Sequence, residues 1–352
     1  MFENSKIMIV DDIIDNIRVA IGHLQELKCQ ITYATNGKDA LERALANKPD
    51  LILMDVMMPF MDGFETARTM KVDTSLEKIP IIFLTAKTDI EDIKRGFECG
   101  GVDYIAKPFD GGELISRVKT HLELSLYRQA LEEQVSLRTQ DIESLKCAVI
   151  EAMGSLAEYR DNETGEHIRR TQLYTNIMCE YMMAHGMHQE TITPEYTKLF
   201  FQSAPLHDIG KVGIKDTILL KPDKLTDEEF SIMKRHAVFG EKVIAKLLKR
   251  TGPTEFLEVA KEIAGGHHEK WDGSGYPRGL KGNAIPLCAR IMAVADVYDA
   301  LVSQRVYKAA FSHEETLHIM NQGAGTHFDP QLIEILNALA EDFNHIAQTY
   351  KD

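Results

Sequence analysis

Leu51-Ile52-Leu53-Met54-Asp55 is a run of four apolar residues that ends in a carboxylate, and it belongs to a set. Ile7-Met8-Ile9-Val10 runs into Asp11-Asp12, Ile81-Ile82-Phe83-Leu84 into Thr85, and Tyr104-Ile105-Ala106 into Lys107, with a further run from Ile31 to Ala34. Helical patterns separate these runs over residues 6 to 122. The alternation predicts a doubly wound, five-stranded parallel sheet covered by helices on both faces. Ligands gather at the carboxyl ends of the strands in such sheets, so Asp11, Asp12, Asp55, Thr85 and Lys107 should meet along one edge. Crowded carboxylates repel one another, and a Mg²⁺ ion with oxygen ligands resolves the repulsion. Lys107 would face a phosphoryl group as a point charge. Any one of these residues alone reads equally well as a solvated loop position, but all of them at strand ends do not.

Composition bounds the rest of the chain. At 352 residues and 44% hydrophobic, it can bury more than one core, and two or three domains are expected. The formal charge of −14 opposes general binding to DNA or to an anionic membrane. A phosphate substrate would need local positive charge. The five cysteines have no CxxC spacing, so reduced thiols and a cytoplasmic location fit better than a disulfide frame. Neither an export signal nor a spanning apolar run is legible.

From Glu123 to about Leu156 there is no proline, and Leu124, Leu131, Val135, Ile142, Leu145, Val149 and Leu156 fall near three-and-four spacing. Residues 123–150 are therefore expected to form a helical, coiled-coil-like linker. Arg128 and Arg138 interrupt the stripe. A parallel homodimer seam and a helix packed on its own domains both remain open.

Residues 151–352 read as an all-α helical bundle broken by glycine-rich loops. Glu163, His167, His207, Asp208, His236, His267, His268 and Asp296 are a full ligand set for a cluster of metal ions. Adjacent His207 and Asp208 can share a metal pair only if the aspartate bridges. Mixed imidazole and carboxylate donors lean toward iron or manganese. Two such ions about 3.5–4 Å apart can clamp both oxygens of an in-line displacement at phosphorus, which is phosphodiester hydrolysis. The remaining histidines, His327 among them, read as ordinary core or surface residues.

Two resemblances add to this reading. Residues 1–122, with Asp11-Asp12, Asp55, Thr85 and Lys107-Pro108, resemble a response-regulator receiver domain. The resemblance implies that Asp55 is the phosphoacceptor and that Asp11, Asp12 and Asp55 hold Mg²⁺. It also implies that Lys107 contacts the acyl phosphate, that Thr85 and Tyr104 form a switch pair, and that Lys107-Pro108 is cis. A sensor histidine kinase would be the partner. The second half, with His207-Asp208-Ile209-Gly210-Lys211 and His267-His268-Glu269-Lys270-Trp271-Asp272-Gly273-Ser274-Gly275-Tyr276-Pro277, resembles an HD-GYP domain, an HD-type phosphohydrolase of cyclic di-GMP that yields pGpG and often GMP.

By that resemblance, Asp208 bridges the metals, and His207, His236, His267, His268 and Asp296 complete a two-metal core. Glu163 and His167 extend it, to three ions in members with glutamate at the Glu163 position. Lys211 would stabilise or protonate the leaving oxygen, Tyr276 would contact a guanine, and Arg305 with Lys308 would grip the nonscissile phosphate. The chain is then expected to be a response regulator whose phosphorylation controls a cyclic di-GMP phosphodiesterase. Two other expectations stand beside it: a 3′,3′-cyclic GMP-AMP phosphodiesterase, and a cyclic-dinucleotide sensor acting through partners such as GGDEF proteins.

Overall fold

The computed structural model describes residues 2–86, 90–160, 165–303 and 310–351. It divides into two compact units, 1–140 and 141–352. No described helix is long and apolar enough to cross a membrane.

The first unit holds strands β1 (Lys6–Val10), β2 (Gln30–Ala34), β3 (Leu51–Asp55), β4 (Ile81–Thr85) and β5 (Asp103–Ala106). All pair in parallel in the order β2-β1-β3-β4-β5, so the five expected strands are present and the chain reverses direction across the sheet between β1 and β3. Helices α1 (Ile14–Leu24), α2 (Gly37–Asn47), α3 (Gly63–Val72) and α4 (Ile90–Glu98) connect them, and α5 (Gly111–Tyr159) follows.

The continuous apolar runs have a simple cause. Alternate residues of each strand face opposite layers, and both layers are dry. Ile7, Ile9, Leu51, Leu53, Ile82 and Leu84 pack on Ile17, Ala20 and Leu24 of α1 and on Leu114, Val118 and Leu122 of α5. Met8, Val10, Ile52, Met54 and Phe83 pack on Ala40, Ala44, Phe64, Ala67 and Met70 of α2 and α3. The expected linker does not start a new element, because α5 continues the receiver's last helix without a break through Tyr159.

The second unit is helical. It comprises α6 (Gly165–Ala184), α7 (Pro194–Ser203), α8 (Asp216–Leu219), α9 (Asp227–Met233), α10 (Arg235–Thr251), α11 (Glu255–Gly266), α12 (Leu287–Val302), α13 (His313–Gln322), α14 (Pro330–Ala338) and α15 (Ala340–Thr349). Its main core joins Tyr174, Met178 and Met182 of α6 to Ile291, Met292 and Tyr298 of α12, Leu332 and Leu336 of α14, and Phe343 of α15. Tyr174 stacks on Phe343 with ring centroids 4.5 Å apart. This core fixes α6 against α12, the two helices that carry His167 and Asp296.

Candidate metal centre

His207 and Asp208 lie between two short 3₁₀ turns, Ala204–Leu206 and Ile209–Gly213. The second turn presses on α10 closely enough that a Cβ at Gly210 would lie 2.0 Å from the His236 carbonyl oxygen. Only glycine permits that approach, and the approach brings His236 to Asp208. His267 follows the last residue of α11, and Asp296 lies in α12.

Asp208 is the centre of the arrangement. Its Oδ1 is 3.2 Å from His236 Nε2 and 3.5 Å from His267 Nε2, while its Oδ2 is 3.5 Å from His207 Nε2 and 2.8 Å from Lys211 Nζ. The two oxygens thus face different imidazoles. One potential donor atom each from Asp208, His236, His267 and His268 falls within 4.8 Å of the others, and a second such group is Glu158, His167 and His207. His167 Nε2 is 3.6 Å from Asp296 Oδ1 and 3.6 Å from Glu158 Oε1.

Every buried imidazole is oriented by its other nitrogen. His207 Nδ1 faces the Ala204 carbonyl at 2.9 Å, His236 Nδ1 that of Met233 at 2.8 Å, and His267 Nδ1 that of Ile263 at 3.0 Å. A carbonyl only accepts, so each Nδ1 carries the proton and each Nε2 offers a lone pair to the centre. Among the described residues those three Nε2 atoms have no hydrogen-bond partner of good geometry. Burial pushes His207 down to about 4 and His268 well below the usual imidazole range, whereas at His236 burial is outweighed by the Asp208 carboxylate, which raises that imidazole. Burial raises Asp208, but Lys211 and the imidazoles outweigh it and hold the carboxylate ionised. Imidazole Nε2 atoms converging on an ionised carboxylate from several sides fit divalent cations.

The loop after His268 is also built to shape. The buried Glu269 carboxylate accepts from the backbone N–H groups of Arg278 at 2.8 Å and Leu280 at 3.0 Å. Gly275 passes 2.2 Å, measured from an added Cβ, from the Lys270 nitrogen. Tyr276 is thereby set beside His268, ring centroids 4.8 Å apart, and near Phe230 and Lys234 of the adjoining segment. Tyr276-Pro277 is cis.

In the first unit, Asp11, Asp12 and Asp55 form a third group of potential ligands. Lys107 Nζ lies 2.5 Å from Asp11 Oδ2 and 2.8 Å from Asp55 Oδ1. Asn16 Nδ2 donates to both Asp11 oxygens, at 3.0 and 3.2 Å, a contact that spacing alone does not reveal. Burial raises Asp55 above the usual carboxylate range despite Lys107. Thr85 is buried, and Tyr104 is half-buried, edge-on to Phe97 and below the Arg117 guanidinium. Both line a small cavity with Phe83, Asp92 and Gly96. Lys107-Pro108 is cis, as expected.

The structure therefore brings together His167, His207, Asp208, Lys211, His236, His267, His268, Tyr276 and Asp296. Glu163, Arg305 and Lys308 lie outside the described residues. Two participants were missed. Asp299, one turn beyond Asp296, contacts His167 Nδ1 at 2.7 Å. Glu158 lies just past the expected linker, near the start of the expected helical bundle, and it continues the buried stripe of Ile150 and Ala157, a spacing that was a usable signal. His327, read as ordinary, stacks on Phe328 and is held down at about 4, chiefly by burial.

A receiver sheet with an acidic edge, joined to a helical unit with a buried histidine–aspartate cluster, defines a response regulator with an HD-type output domain. Family profiles agree: the response regulator receiver domain matches residues 7–119 and the HD domain matches 178–332. A Vibrio cholerae protein named "Probable cyclic di-GMP phosphodiesterase" is 47% identical over 98% of this chain and 80% of its own length. Another from Xanthomonas campestris, named "Cyclic di-GMP phosphodiesterase response regulator RpfG", is 37% identical over 85% of this chain and 77% of its own. A third, the Vibrio cholerae "3'3'-cGAMP-specific phosphodiesterase 2", is 35% identical over 72% of this chain and 46% of its own. The chain belongs to the family of receiver-linked HD-domain response regulators that the first two represent.

Proposed function

We propose that the chain is a phosphorylation-controlled, metal-dependent phosphodiesterase of cyclic di-GMP. The observation that carries this reading is the Asp208 carboxylate, whose two oxygens face separate imidazole sets while Lys211 stands 2.8 Å away. The names of the long-range relatives point to the same substrate.

Asp208 would bridge two ions, one held with His167 and His207 and the other with His236, His267 and His268. Asp296, and Glu163 for a third ion, would complete the set. Iron and manganese suit these donors. When bound, such ions supply Lewis acidity at the phosphoryl oxygens and acidify a water molecule. The chain's own groups do the rest. Lys211 Nζ holds a proton beside the bridging carboxylate, placed to neutralise charge on the departing ribose oxygen or to protonate it. The Tyr276 ring, with Phe230 and Lys234 near it, offers a guanine a flat and partly cationic surface. Arg305 and Lys308 would hold the other phosphate. The linear product is pGpG, with GMP after a second cleavage.

In the first unit, Asp55 would take the phosphoryl group from a sensor histidine kinase, with Mg²⁺ on Asp11, Asp12 and Asp55 and with Lys107 on the phosphoryl oxygens. Thr85 would then move inward and let Tyr104 bury. Helix α5 has an outward apolar stripe that fits a second copy of the chain, so the working form is a homodimer.

Turnover tests the enzyme reading. Anaerobic protein loaded with Fe²⁺ or Mn²⁺ should convert cyclic di-GMP to pGpG or GMP, and His207→Ala/Asp208→Ala should not. Preference for 3′,3′-cyclic GMP-AMP would move the substrate to the class named for the third relative. Bound metal without product from either dinucleotide would favour a sensor that acts through partners such as GGDEF proteins.

A further inference from the structure

Glu158 is the penultimate residue of α5, and its side chain is almost wholly removed from water at 1% exposure. Its Oε1 is 3.6 Å from His167 Nε2. The proton of His167 is on the other nitrogen, because Nδ1 lies 2.7 Å from Asp299 Oδ2, a carboxylate oxygen that accepts it. His167 therefore turns a lone pair, not an N–H, toward the Glu158 carboxylate. Two electron-rich atoms facing each other out of water repel unless a cation lies between them. The separation is too long for a hydrogen bond. It does suit two donors on one ion, since ligands at about 2.1 Å in tetrahedral array stand about 3.4 Å apart. Nε2 of His207, buried and without a hydrogen-bond partner among the described residues, points into the same space.

We infer that Glu158 is a carboxylate ligand of the ion held by His167 and His207, an inference that rests on the metallohydrolase reading above. Three elements then meet at that ion: the end of α5, the start of α6 and the 3₁₀ turn before Asp208. The rival account is an ion pair between Glu158 and a protonated His167. It needs the proton on Nε2 as well as on Nδ1, and at 3.6 Å the two groups stand too far apart for that proton to be shared in a hydrogen bond.

The test uses the full chain and Mn²⁺ alone, with Mn²⁺ per chain measured by elemental analysis after gel filtration and Tm measured with and without the ion. Glu158→Gln should carry one Mn²⁺ fewer per chain than wild type, or hold it about tenfold more weakly. Its Mn²⁺-dependent rise in Tm should shrink. Unchanged Mn²⁺ content with an unchanged Tm rise overturns the assignment, as does a fall in the metal-free Tm alone, the signature of the ion pair. Should Glu158→Gln fail to fold by circular dichroism, Glu158→Asp decides. Weaker Mn²⁺ binding supports the ligand role, and wild-type affinity overturns it. Wild-type protein that binds no Mn²⁺ overturns the metallohydrolase reading itself, a failure distinct from the other two.

Discussion

His167 Nδ1 lies 2.7 Å from Asp299 Oδ2, and the same carboxylate is gripped in two places by Arg170, with Nε on Oδ1 at 2.7 Å and Nη2 on Oδ2 at 2.9 Å. Arg170 is itself anchored to the Tyr350 carbonyl and the Ser303 hydroxyl. The orientation of one imidazole in the centre thus depends on a chain of contacts that runs through Arg170 to Ser303 and to Tyr350, the residue that follows α15.

Asp299→Asn keeps the shape but loses the charge that fixes the His167 proton on Nδ1. A carboxylate behind a ligating imidazole typically contributes about 10–100-fold in metal affinity or activity. Turnover and Mn²⁺ affinity should both fall by about that factor. Arg170→Lys should reproduce part of the loss, since an ammonium cannot match the two-point contact. Turnover of both variants at the wild-type rate with wild-type metal content would remove Asp299 from any positioning role.

Gly210 makes a steric prediction. A methyl group there would lie 2.0 Å from the His236 carbonyl oxygen and 2.5 Å from the Gly240 nitrogen, both rigid backbone atoms of α10. Gly210→Ala must push α10 away and carry His236 from Asp208. Overpacking of this kind costs about 1–3 kcal/mol, so Tm should drop and turnover should fall further than stability alone explains. Gly252→Ala is a poor control because its φ is +83°, whereas Gly22, with open space around it, should tolerate alanine with little change.

These two cases mark what the sequence could and could not convey. β1, β3 and β4 were legible because they are buried on both faces, and the functional ends because four of the five strands run into Asp11, Asp55, Thr85 or Lys107, the exception being the half-exposed edge strand β2. The histidines were legible because paired motifs such as His207-Asp208 and His267-His268 have few other uses. Asp299 was hidden by its neighbour, since nothing in the spacing says which of two aspartates on α12 contacts His167 Nδ1 and which stands by its Nε2. Glu158 was hidden by context. It stands between the expected connector and the histidine motifs, and although its spacing from Ile150 and Ala157 marks it as buried, nothing in that spacing says that it faces His167. Asn16, which steadies Asp11, is one polar residue among many on an exposed helix.

The acidic edge of the sheet predicts a Mg²⁺-dependent modification. Lys107 bridges Asp11 and Asp55, so an incoming phosphoryl group would meet a positive charge already in position. Acetyl phosphate with Mg²⁺ should label the wild-type chain, and phosphate-affinity gels should show no labelled band for Asp55→Asn or after chelation. Lys107→Ala should slow labelling and leave the fold intact. Labelling that persists in Asp55→Asn would place the phosphoacceptor elsewhere. Where cyclic di-GMP turnover responds to the phosphodonor, the response should vanish in the same variant.

Helix α5 makes the last prediction. In the second unit its inner face is committed: Ile150 and Ala157 are buried, Lys146 reaches Gln202 Oε1 at 3.2 Å, and Glu143 pairs with Lys198 at 3.1 Å. The outer face holds Ile142, Leu145, Val149 and Leu156, each about half to two-thirds exposed (67%, 66%, 49% and 67%). The two arrangements left open by the sequence are therefore compatible, because the helix packs on its own unit with one face and keeps the other free. Written as heptads, the outer face puts Val135, Ile142 and Val149 at one core position and Leu131 and Leu145 at the other, with Arg128 and Arg138 interrupting the two rows, so a parallel two-stranded coil would be confined to the stretch from Ile142 onward. Sedimentation should find a dimer for the wild-type chain and a monomer for Leu145→Glu/Val149→Glu, with unchanged helicity. A wild-type chain that sediments as a monomer at micromolar concentration would leave the stripe without a second copy as its partner, and any effect of Asp55 phosphorylation would then have to travel within a single chain.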